Sequence, residues 1–387
     1  MKNKVRWLLF IALLSGQTLC SQTARIGIFY NRDPEKIFFQ FSSGGFKLIN
    51  EQGLSWDLNS GQNYILSAKS DSVVFGDQPS VKSTWFKIEA REESQVFRLS
   101  LQNGNGWKNF SGSLSIISQA GKLKLVNSTS MDDYIAGVIQ AEVGTGNGEE
   151  FQKMKAVICR TYALFNWGRH EQEGFNLCDK VHCQVYPGNT RHEPIRKCVK
   201  ETRGQVLVDD SLKLINPLFH SNCGGQTCNS EDVWNKPLPY LVSVKDPWCK
   251  NKPSYSWEKK IARKEWDTYL RKKFMFPSSD SLFFQKLIAF NQDDRKKYLI
   301  EDGFCIPLRT VREDWNLRST FFTIQASGDF VVLKGRGFGH GVGLCQEGAM
   351  EMAKKGKSIK SILEFYYNGA YLVDLERIDF FRSALGE

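Results

Sequence analysis

The chain of 387 residues changes character at residues 131–142, which read MDDYIAGVIQAE. Ile135, Val138 and Ile139 recur at the spacing of one face of an α-helix, and Glu142 takes the next position on that face. A carboxylate on an apolar face loses water, which favours its neutral form and suits a general acid. The alternative is a glutamate that leaves the last helical turn for solvent.

Two helices are predicted around this stretch. Asp132 or Asp133 is expected to cap the first helix. The second helix runs from about residue 150 and carries Lys155 and Arg160 beside its apolar face. We expect either side chain to orient Glu142 or to contact a substrate, although charged side chains on a helix are usually solvated.

Residues before this stretch have a different pattern. From residue 22 to about 125, short runs of β-type residues alternate with glycine, asparagine, aspartate and serine, which indicates strands and hairpins. From 126 to 387 strands and helices mix, and the charged segment 254–302 is interpreted as a peripheral elaboration. We therefore predict an α+β fold, with a β-rich N-terminal portion packed on a catalytic portion that carries helices and a glycine-rich strand.

The first 21 residues are typical of a secretory signal peptide. Lys2, Lys4 and Arg6 precede an apolar run at 7–14, and small or polar residues follow. That run is too short to cross a bilayer, and no later segment reaches the roughly 18 apolar residues that a spanning helix needs. We expect export to the periplasm or cell envelope, with no transmembrane span in the mature chain. A lipid anchor at Cys20 is the alternative.

The formal net charge of the chain is +10 at pH 7. A basic surface suits a polyanionic neighbour, which for an exported chain would be a cell-wall polymer or lipid headgroups. The same charge is also typical of a basic face that water alone solvates. No nucleic-acid recognition motif is visible, so we expect no nucleic-acid partner.

Two histidines and two cysteines lie within fourteen residues, at His170, Cys178, His182 and Cys183. Imidazole and thiolate are ligands that zinc prefers, and four protein ligands leave no position for water. We therefore predict one zinc ion with a structural role. A disulfide from Cys178 and free thiols are the alternatives. Of the ten cysteines, nine remain without Cys20, and an odd number cannot all pair in disulfides.

Glycine occupies every second position from 335 to 343. As a strand, this block would have one bare face that a strand, a helix or a sugar ring could approach closely. The spacing departs from G-x-G-x-x-G, so dinucleotide binding is excluded. Further upstream, His220 opens a tight polar loop that contains Cys223. A thiol nucleophile at Cys223, a disulfide from Cys223 or Cys228 to Cys249, and simple burial are the alternatives there.

Several segments, taken in order, carry a family resemblance. They are MDDYIAGVIQAE (131–142), MKAVICRTYA (154–163), CQVYPG (183–188), FHSNCGGQT (219–227), PYL (239–241) and GRGFGHGVGLCQEGA (335–349). Together they resemble the signature of the stage II sporulation protein D family, which includes amidase enhancers. The resemblance covers about residues 25–372, and it is specific because the segments occur in combination.

The resemblance implies a lytic transglycosylase. Such an enzyme cleaves between N-acetylmuramic acid and N-acetylglucosamine in peptide-stripped glycan strands of peptidoglycan, and it leaves 1,6-anhydromuramoyl ends. Glu142 matches the catalytic position of the family. One carboxylate suffices because it first donates a proton and then accepts one, whereas ordinary glycosidases need a carboxylate pair.

The same resemblance implies that His340 and Gln346 lie at the substrate cleft, and we expect His220 and Ser221 to bind substrate as well. A packed structural histidine is the alternative for His340. Some members of the family carry zinc near the segment 170–183. Two other functions remain open, namely a non-enzymatic glycan-binding protein that stimulates a cell-wall amidase, and a zinc-dependent amidase or peptidase.

Overall fold

The computed structural model describes residues 23–76, 81–103, 105–275, 285, 288–300 and 305–375. The signal peptide predicted at 1–21 lies outside these residues. The chain divides into two compact units. The first unit contains the described residues up to Tyr134, together with Arg203–Gln205 and the end of the described chain from Asp374. The second contains Ile135–Thr202 and Val206–Val373.

The first unit consists of antiparallel strands. They are β1 (Thr23–Ile28), β2 (Lys36–Gln40), β3 (Phe46–Asn50), β4 (Ser55–Leu58), β5 (Tyr64–Lys69), β6 (Ser72–Phe75), β7 (Val81–Ser83), β8 (Trp85–Ala90), β9 (Val96–Ser100), β10 (Lys108–Ser111), β11 (Ser113–Gln119) and β12 (Lys122–Ser130). One sheet has the order β1-β12-β11-β8-β3-β4, and the other has the order β10-β9-β2-β5-β6-β7. The predicted β-rich N-terminal portion and the mixed α+β class are confirmed.

Aromatic side chains fill the space between these two sheets. The ring of Phe39 on β2 lies 5.3 Å from that of Phe97 on β9 and 5.7 Å from that of Phe46 on β3. All three side chains are buried. Residues of β12 alternate between buried and more exposed positions, as expected for a strand with one face on a core.

The later elements mix helices with short strands. The helices are α1 (Met131–Val143), α2 (Glu149–Phe165), α3 (Glu193–Glu201), α4 (Ser230–Trp234), α5 (Arg263–Phe274), α6 (Leu308–Asp314), α7 (Gln346–Lys354) and α8 (Ile359–Tyr366). The strands are β13 (Leu177–Cys178), β14 (Gln205–Val208), β15 (Phe219–His220), β16 (Ser256–Ala262), β17 (Phe322–Ser327), β18 (Phe330–Arg336), β19 (Leu344–Cys345) and β20 (Tyr371–Asp374). Among the described residues, every helix is too short or too polar to cross a bilayer.

The core that positions the site is built around α2. Phe151, Met154 and Ile158 of this helix are buried and share a cluster with Leu344 of β19 and Tyr366 of α8. Strands β15 and β19 pair in parallel, with Phe219 opposite Leu344. The antiparallel order β16-β18-β17 forms a separate small sheet.

The cap of α1 differs from the predicted one. The backbone N–H of Asp133 donates to Ser130 Oγ at 3.1 Å, so Ser130 takes the capping position. The Asp133 carboxylate is buried and accepts a bond from Ser111 Oγ at 2.7 Å. Because β12 runs directly into α1, the capping residue is the last residue of the strand.

The glycine block is a strand only at its start. Strand β18 ends at Arg336, and Gly337 and Gly343 adopt φ values of +85° and +69°. Such values place the backbone in the left-handed region, which excludes a regular strand. A Cβ at Gly337 would lie 2.6 Å from the carbonyl oxygen of Asn222, and one at Gly343 would lie 2.2 Å from that of Leu218. The predicted close approach is therefore made by the protein's own segment 218–222.

Candidate functional site

Glu142 lies in the last turn of α1, where the helix meets solvent. Its side chain is half-buried, whereas Val138 and Ile139 on the same face are completely buried. Gly144 ends the helix with a φ of +71°. The carboxylate therefore stands at the boundary between the apolar interior and an open loop.

A buried lysine lies on the helix that follows. Lys155 of α2 has no exposed surface, and its Nζ lies 3.2 Å from the centre of the Phe219 ring. Within the described part of the chain, this Nζ has no hydrogen-bond partner. Burial lowers the pKa of Lys155, and the electrostatic influence of Cys159 and of Glu142 opposes that shift. Glu142 is thus an electrostatic neighbour of the buried Lys155 amine.

A cavity of about 860 Å³ opens just after α1. This volume falls in the range of small-molecule sites in proteins. The cavity is lined by Thr145, Gly146, Asn147, Glu149, Gln152, His192, Glu193, Pro194, Lys197 and Cys198. The loop that follows α1 therefore forms one wall of a concave site.

His220 and His340 form a neutral pair. Val342 donates its N–H to His340 Nδ1 at 3.1 Å, so the proton of the ring is on Nε2, which donates to the Phe219 carbonyl at 3.0 Å. His220 donates from Nδ1 to the Val342 carbonyl at 3.1 Å. Burial lowers the pKa of His340 to about 4 and that of His220 well below its usual value.

The other residues expected to bind substrate differ in exposure. His220 is buried, whereas His340, Ser221 and Gln346 are half-buried. Ser221 Oγ lies 3.4 Å from Ser254 Oγ, and Gln346 is the first residue of α7. Phe219 connects this region to the buried lysine, since its ring covers the amine of α2 and its carbonyl accepts from His340.

Arg160 is directed into the protein. Its guanidinium donates to the carbonyl of Thr202 at 2.7 Å and to that of Val199 at 3.1 Å, and the side chain is buried. These bonds satisfy the C-terminal carbonyls of α3, which is a structural task. The structure therefore places Arg160 between α2 and α3.

The four residues predicted to hold zinc lie together. His170, Cys178, His182 and Cys183 each offer one ligand atom, and these atoms lie within 4.8 Å of one another. His182 Nδ1 is 3.9 Å from Cys178 Sγ and 3.8 Å from Cys183 Sγ. In tetrahedral zinc sites, neighbouring nitrogen and sulfur ligands stand about 3.6 Å apart. The donor set and its spacing fit a zinc ion.

The surroundings of this cluster also suit a metal. A hydrogen bond from Cys178 lowers the pKa of the Cys183 thiol to about 6, and the same bond together with burial raises that of Cys178 to about 12. Glu173 Oε1 lies 2.5 Å from His170 Nδ1, which leaves Nε2 as the nitrogen available to a metal. A carboxylate that accepts a hydrogen bond from one ring nitrogen usually orients a histidine whose other nitrogen binds zinc.

Comparison with known proteins places this chain in a family. A family model described as "Stage II sporulation protein" matches residues 119–208. An uncharacterized protein of Brachyspira hyodysenteriae is 30% identical over 276 residues, which cover 69% of this chain and 73% of that protein. The stage II sporulation protein D of Bacillus subtilis is 28% identical over 65% of this chain and 76% of its own length. The chain belongs to the stage II sporulation protein D family.

The family segment contains the centre of the candidate site. Glu142, Lys155 and the His170–Cys183 cluster all lie within the matched residues 119–208. An amidase enhancer of Bacillus subtilis is 26% identical over 62% of this chain but only 40% of its own length.

A second cluster of ligand-type residues was missed by sequence reasoning. Cys223, Asp246, Cys249 and Cys345 are buried, and their ligand atoms lie within 4.8 Å of one another. Cys223 and Cys345 are 122 positions apart, so spacing alone could not join them. Their presence in two segments that resemble the family signature was the available signal. Burial raises the pKa of the Cys223 thiol well above its usual value, which opposes a role as nucleophile.

Proposed function

We propose that this member of the stage II sporulation protein D family is a lytic transglycosylase, with Glu142 as its acid and base. Its substrate would be peptide-stripped glycan strands of peptidoglycan. The observation that carries the proposal is the position of Glu142, half-buried at the end of α1 and electrostatically coupled to the buried Lys155. A cavity large enough for sugar rings is lined in part by residues 145–147 of the loop that follows α1.

A single carboxylate can perform both proton transfers of this reaction. As an acid, Glu142 protonates the glycosidic oxygen, and the bond between that oxygen and C1 of the muramoyl sugar breaks. As a base, the resulting carboxylate takes the proton of the C6 hydroxyl, whose oxygen bonds to C1. Water is not consumed, the 1,6-anhydro ring closes, and Glu142 ends the cycle protonated as it began.

Glu149 is a competing acid that lines the cavity. Its carboxylate pairs with Lys153 Nζ at 2.6 Å, and this hydrogen bond lowers the pKa of Glu149. A carboxyl group held ionised has no proton to give to a leaving oxygen. Glu149 is therefore a poor general acid.

Lys155 is a positioning residue in this proposal. Its buried charge attracts the carboxylate that remains when Glu142 has given up its proton. Because Nζ has no hydrogen-bond partner among the described residues, its burial is costly to folding. A costly buried charge beside a catalytic carboxylate is typical of a functional site.

We also propose glycan contacts at the half-buried Ser221, His340 and Gln346. The Trp234 ring lies 5.1 Å from His340 and is 39% exposed, so it offers an aromatic face on which a sugar ring can rest. His220 would act through its bond to the Val342 carbonyl, which orients the loop that carries His340.

A zinc ion at His170, Cys178, His182 and Cys183 would have a structural role. A bound zinc ion would supply strong cross-links between these side chains and no reaction chemistry. The four protein ligands fill a tetrahedral site, so no position remains for a reactive water. This closed ligand set is the argument against a zinc-dependent amidase or peptidase.

A cell-wall role accords with export and with a basic chain. The N-terminal pattern at 1–21 supports export to the periplasm or envelope, and the net charge of +10 suits an anionic wall polymer. The second candidate function is glycan binding without cleavage, in support of a cell-wall amidase. It is favoured by the similarity to a protein named amidase enhancer.

Purified full-length protein incubated with peptide-free glycan strands tests these functions together. Mass spectrometry of the products would show 1,6-anhydromuramoyl ends if the proposal holds. Strands that are bound but unaltered would support the enhancer role. Reducing ends that carry an added water would indicate a hydrolase, and peptides released from intact peptidoglycan in a chelator-sensitive way would indicate the metalloenzyme.

A further inference from the structure

We propose that Cys223, Asp246, Cys249 and Cys345 form a second zinc site in the interior of the second unit. All four side chains are buried, with at most traces of exposed surface. The site is independent of the transglycosylase proposal, because it concerns metal content and folding rather than cleavage.

The spacing of the ligand atoms suits one tetrahedral ion. Cys223 Sγ lies 3.4 Å from Cys249 Sγ and 3.1 Å from Asp246 Oδ2. Ligands at zinc–sulfur and zinc–oxygen distances of about 2.3 and 2.1 Å stand roughly 3.5 to 3.8 Å apart in a tetrahedron. Small adjustments of the side chains would therefore place a single zinc ion among these four atoms.

The sulfur atoms already have the backbone donors that thiolate ligands need. Cys345 Sγ accepts from the N–H of Cys223 at 3.3 Å and from that of Gly348 at 3.4 Å. Donors of this kind stabilise the negative sulfur that binds a metal.

The carboxylate is fixed in the same way. Asp246 Oδ1 accepts from the Trp248 N–H at 2.8 Å, and Oδ2 accepts from the Tyr366 hydroxyl at 2.9 Å. A Cβ at Gly348 would lie 2.4 Å from Asp246 Oδ2 and 2.3 Å from the Tyr366 oxygen. The first residues of α7 therefore leave space for the carboxylate and for the Tyr366 hydroxyl that bonds to it.

A nearby cation complements the charge of such a site. Three thiolates and one carboxylate around Zn²⁺ would carry a net negative charge. Arg295 donates to the carbonyl of Cys223 at 2.6 Å and to that of Gln226 at 2.6 Å. Its guanidinium thus adjoins the loop that supplies the first ligand.

The ion would stabilise the strand pair that borders the candidate active site. Cys345 of β19 pairs with His220 of β15, and Phe219 of β15 covers the Lys155 amine. Cross-linking the ends of β15 and β19 would fix Phe219 over that amine. The proposed role of the second zinc ion is therefore to hold the wall behind Lys155.

Zinc analysis of a variant without the first cluster tests this proposal. The double variant His182→Ala/Cys183→Ala, purified as the full chain without reductant, is expected to retain about one zinc per chain. Adding Cys249→Ser should remove that zinc. Adding Cys228→Ser, which changes a buried cysteine outside the ligand set, should leave it in place.

Two further measurements test the second zinc site even if the cysteine variants fail to fold. Asp246→Asn keeps the shape of the side chain and should weaken zinc binding by at least about tenfold in competition with a chelator. Peptide mapping of the unreduced wild-type chain should find Cys223 and Cys249 free to be alkylated after denaturation in chelator. A double variant without zinc, or a disulfide between Cys223 and Cys249, would overturn the second site.

Discussion

Lys155 Nζ lies 3.2 Å from the centre of the Phe219 ring, and it is buried with Glu142 as an electrostatic neighbour. The amine has no hydrogen-bond partner among the described residues. A cation in such a place costs folding free energy, which an aromatic face and a nearby carboxylate only partly offset. We interpret this arrangement as a loss of stability that keeps an amine beside the proposed catalytic acid.

Replacement of Lys155 by methionine should therefore raise the stability of the protein and lower its activity. Methionine fills a similar volume without a buried charge, so we expect the free energy of unfolding to rise by about 1 to 3 kcal/mol. Formation of anhydromuramoyl ends should fall by at least about tenfold, because Glu142 loses its buried cation. Urea unfolding and a timed product assay on one preparation measure both effects.

Lys153→Met is the matched control for that experiment. Lys153 lies on the same helix but pairs at the surface with Glu149 and Glu201. Its loss should reduce stability by less than about 1 kcal/mol and leave activity unchanged. A Lys155→Met protein that is less stable than wild type, or fully active, would refute the role given to this amine.

The neutral His340 predicts a loss of stability in acid. The pKa of His340 is lowered from 6.5 to about 4 by burial, so between these values the unfolded chain binds a proton that the folded chain does not. Stability that is present above pH 6.5 is therefore lost as the pH falls toward 4. Between pH 7 and 4.5 this one group should cost about 2 kcal/mol.

His340→Gln tests the assignment, since glutamine offers a neutral donor that can replace the bond to the Phe219 carbonyl. Both proteins contain the same carboxylates, so the difference between their pH dependences isolates the histidine. The variant should lose about 2 kcal/mol less than wild type between pH 7 and 4.5. Identical losses would mean that His340 does not titrate in the way its burial implies.

Removal of one ligand tests the zinc cluster near α2. His182 is the most exposed member of that cluster, so His182→Ala should lower the zinc content by about one ion per chain with little direct loss of packing. The melting temperature should fall because a ligand of the folded state is lost. His192→Ala, at the start of α3, should retain all zinc, and unchanged zinc in His182→Ala would remove His182 from the ligand set.

The cap of α1 gives a prediction about the first unit. Ser130→Ala removes the oxygen that accepts the Asp133 N–H, and it should cost about 1 kcal/mol of unfolding free energy. Asp132→Ala removes a partly exposed ion pair with Arg203 and should cost less. If Asp132→Ala cost more unfolding free energy than Ser130→Ala, Asp132 would be the more important capping residue.

The sequence predicted features that depend on neighbouring residues. The helical face that ends in Glu142 follows from a local period, and residues 170–183 lie close enough along the chain for one loop to bring their side chains together. The β-rich first part is also visible as short alternating runs. Each of these signals is complete within about twenty residues.

Features that join distant segments were not predictable in this way. Cys223 and Cys345 are 122 positions apart and meet only because β15 pairs with β19. The glycine block suggested a strand through 343, but its alternation reflects positive φ angles where the segment 218–222 passes close by. Alternate glycines in a sequence cannot by themselves distinguish a strand with a bare face from a loop packed on another backbone.

The most direct measurement is the release of anhydromuramoyl ends from peptide-free glycan strands by wild type and by Glu142→Gln. Glutamine keeps the shape of the side chain but cannot donate and accept the proton, so product formation should fall by at least about a hundredfold while strand binding is retained. Glu150→Gln, an exposed position at the start of α2, should be as active as wild type. Wild-type activity in Glu142→Gln, or products that all carry an added water, would contradict the proposed reaction.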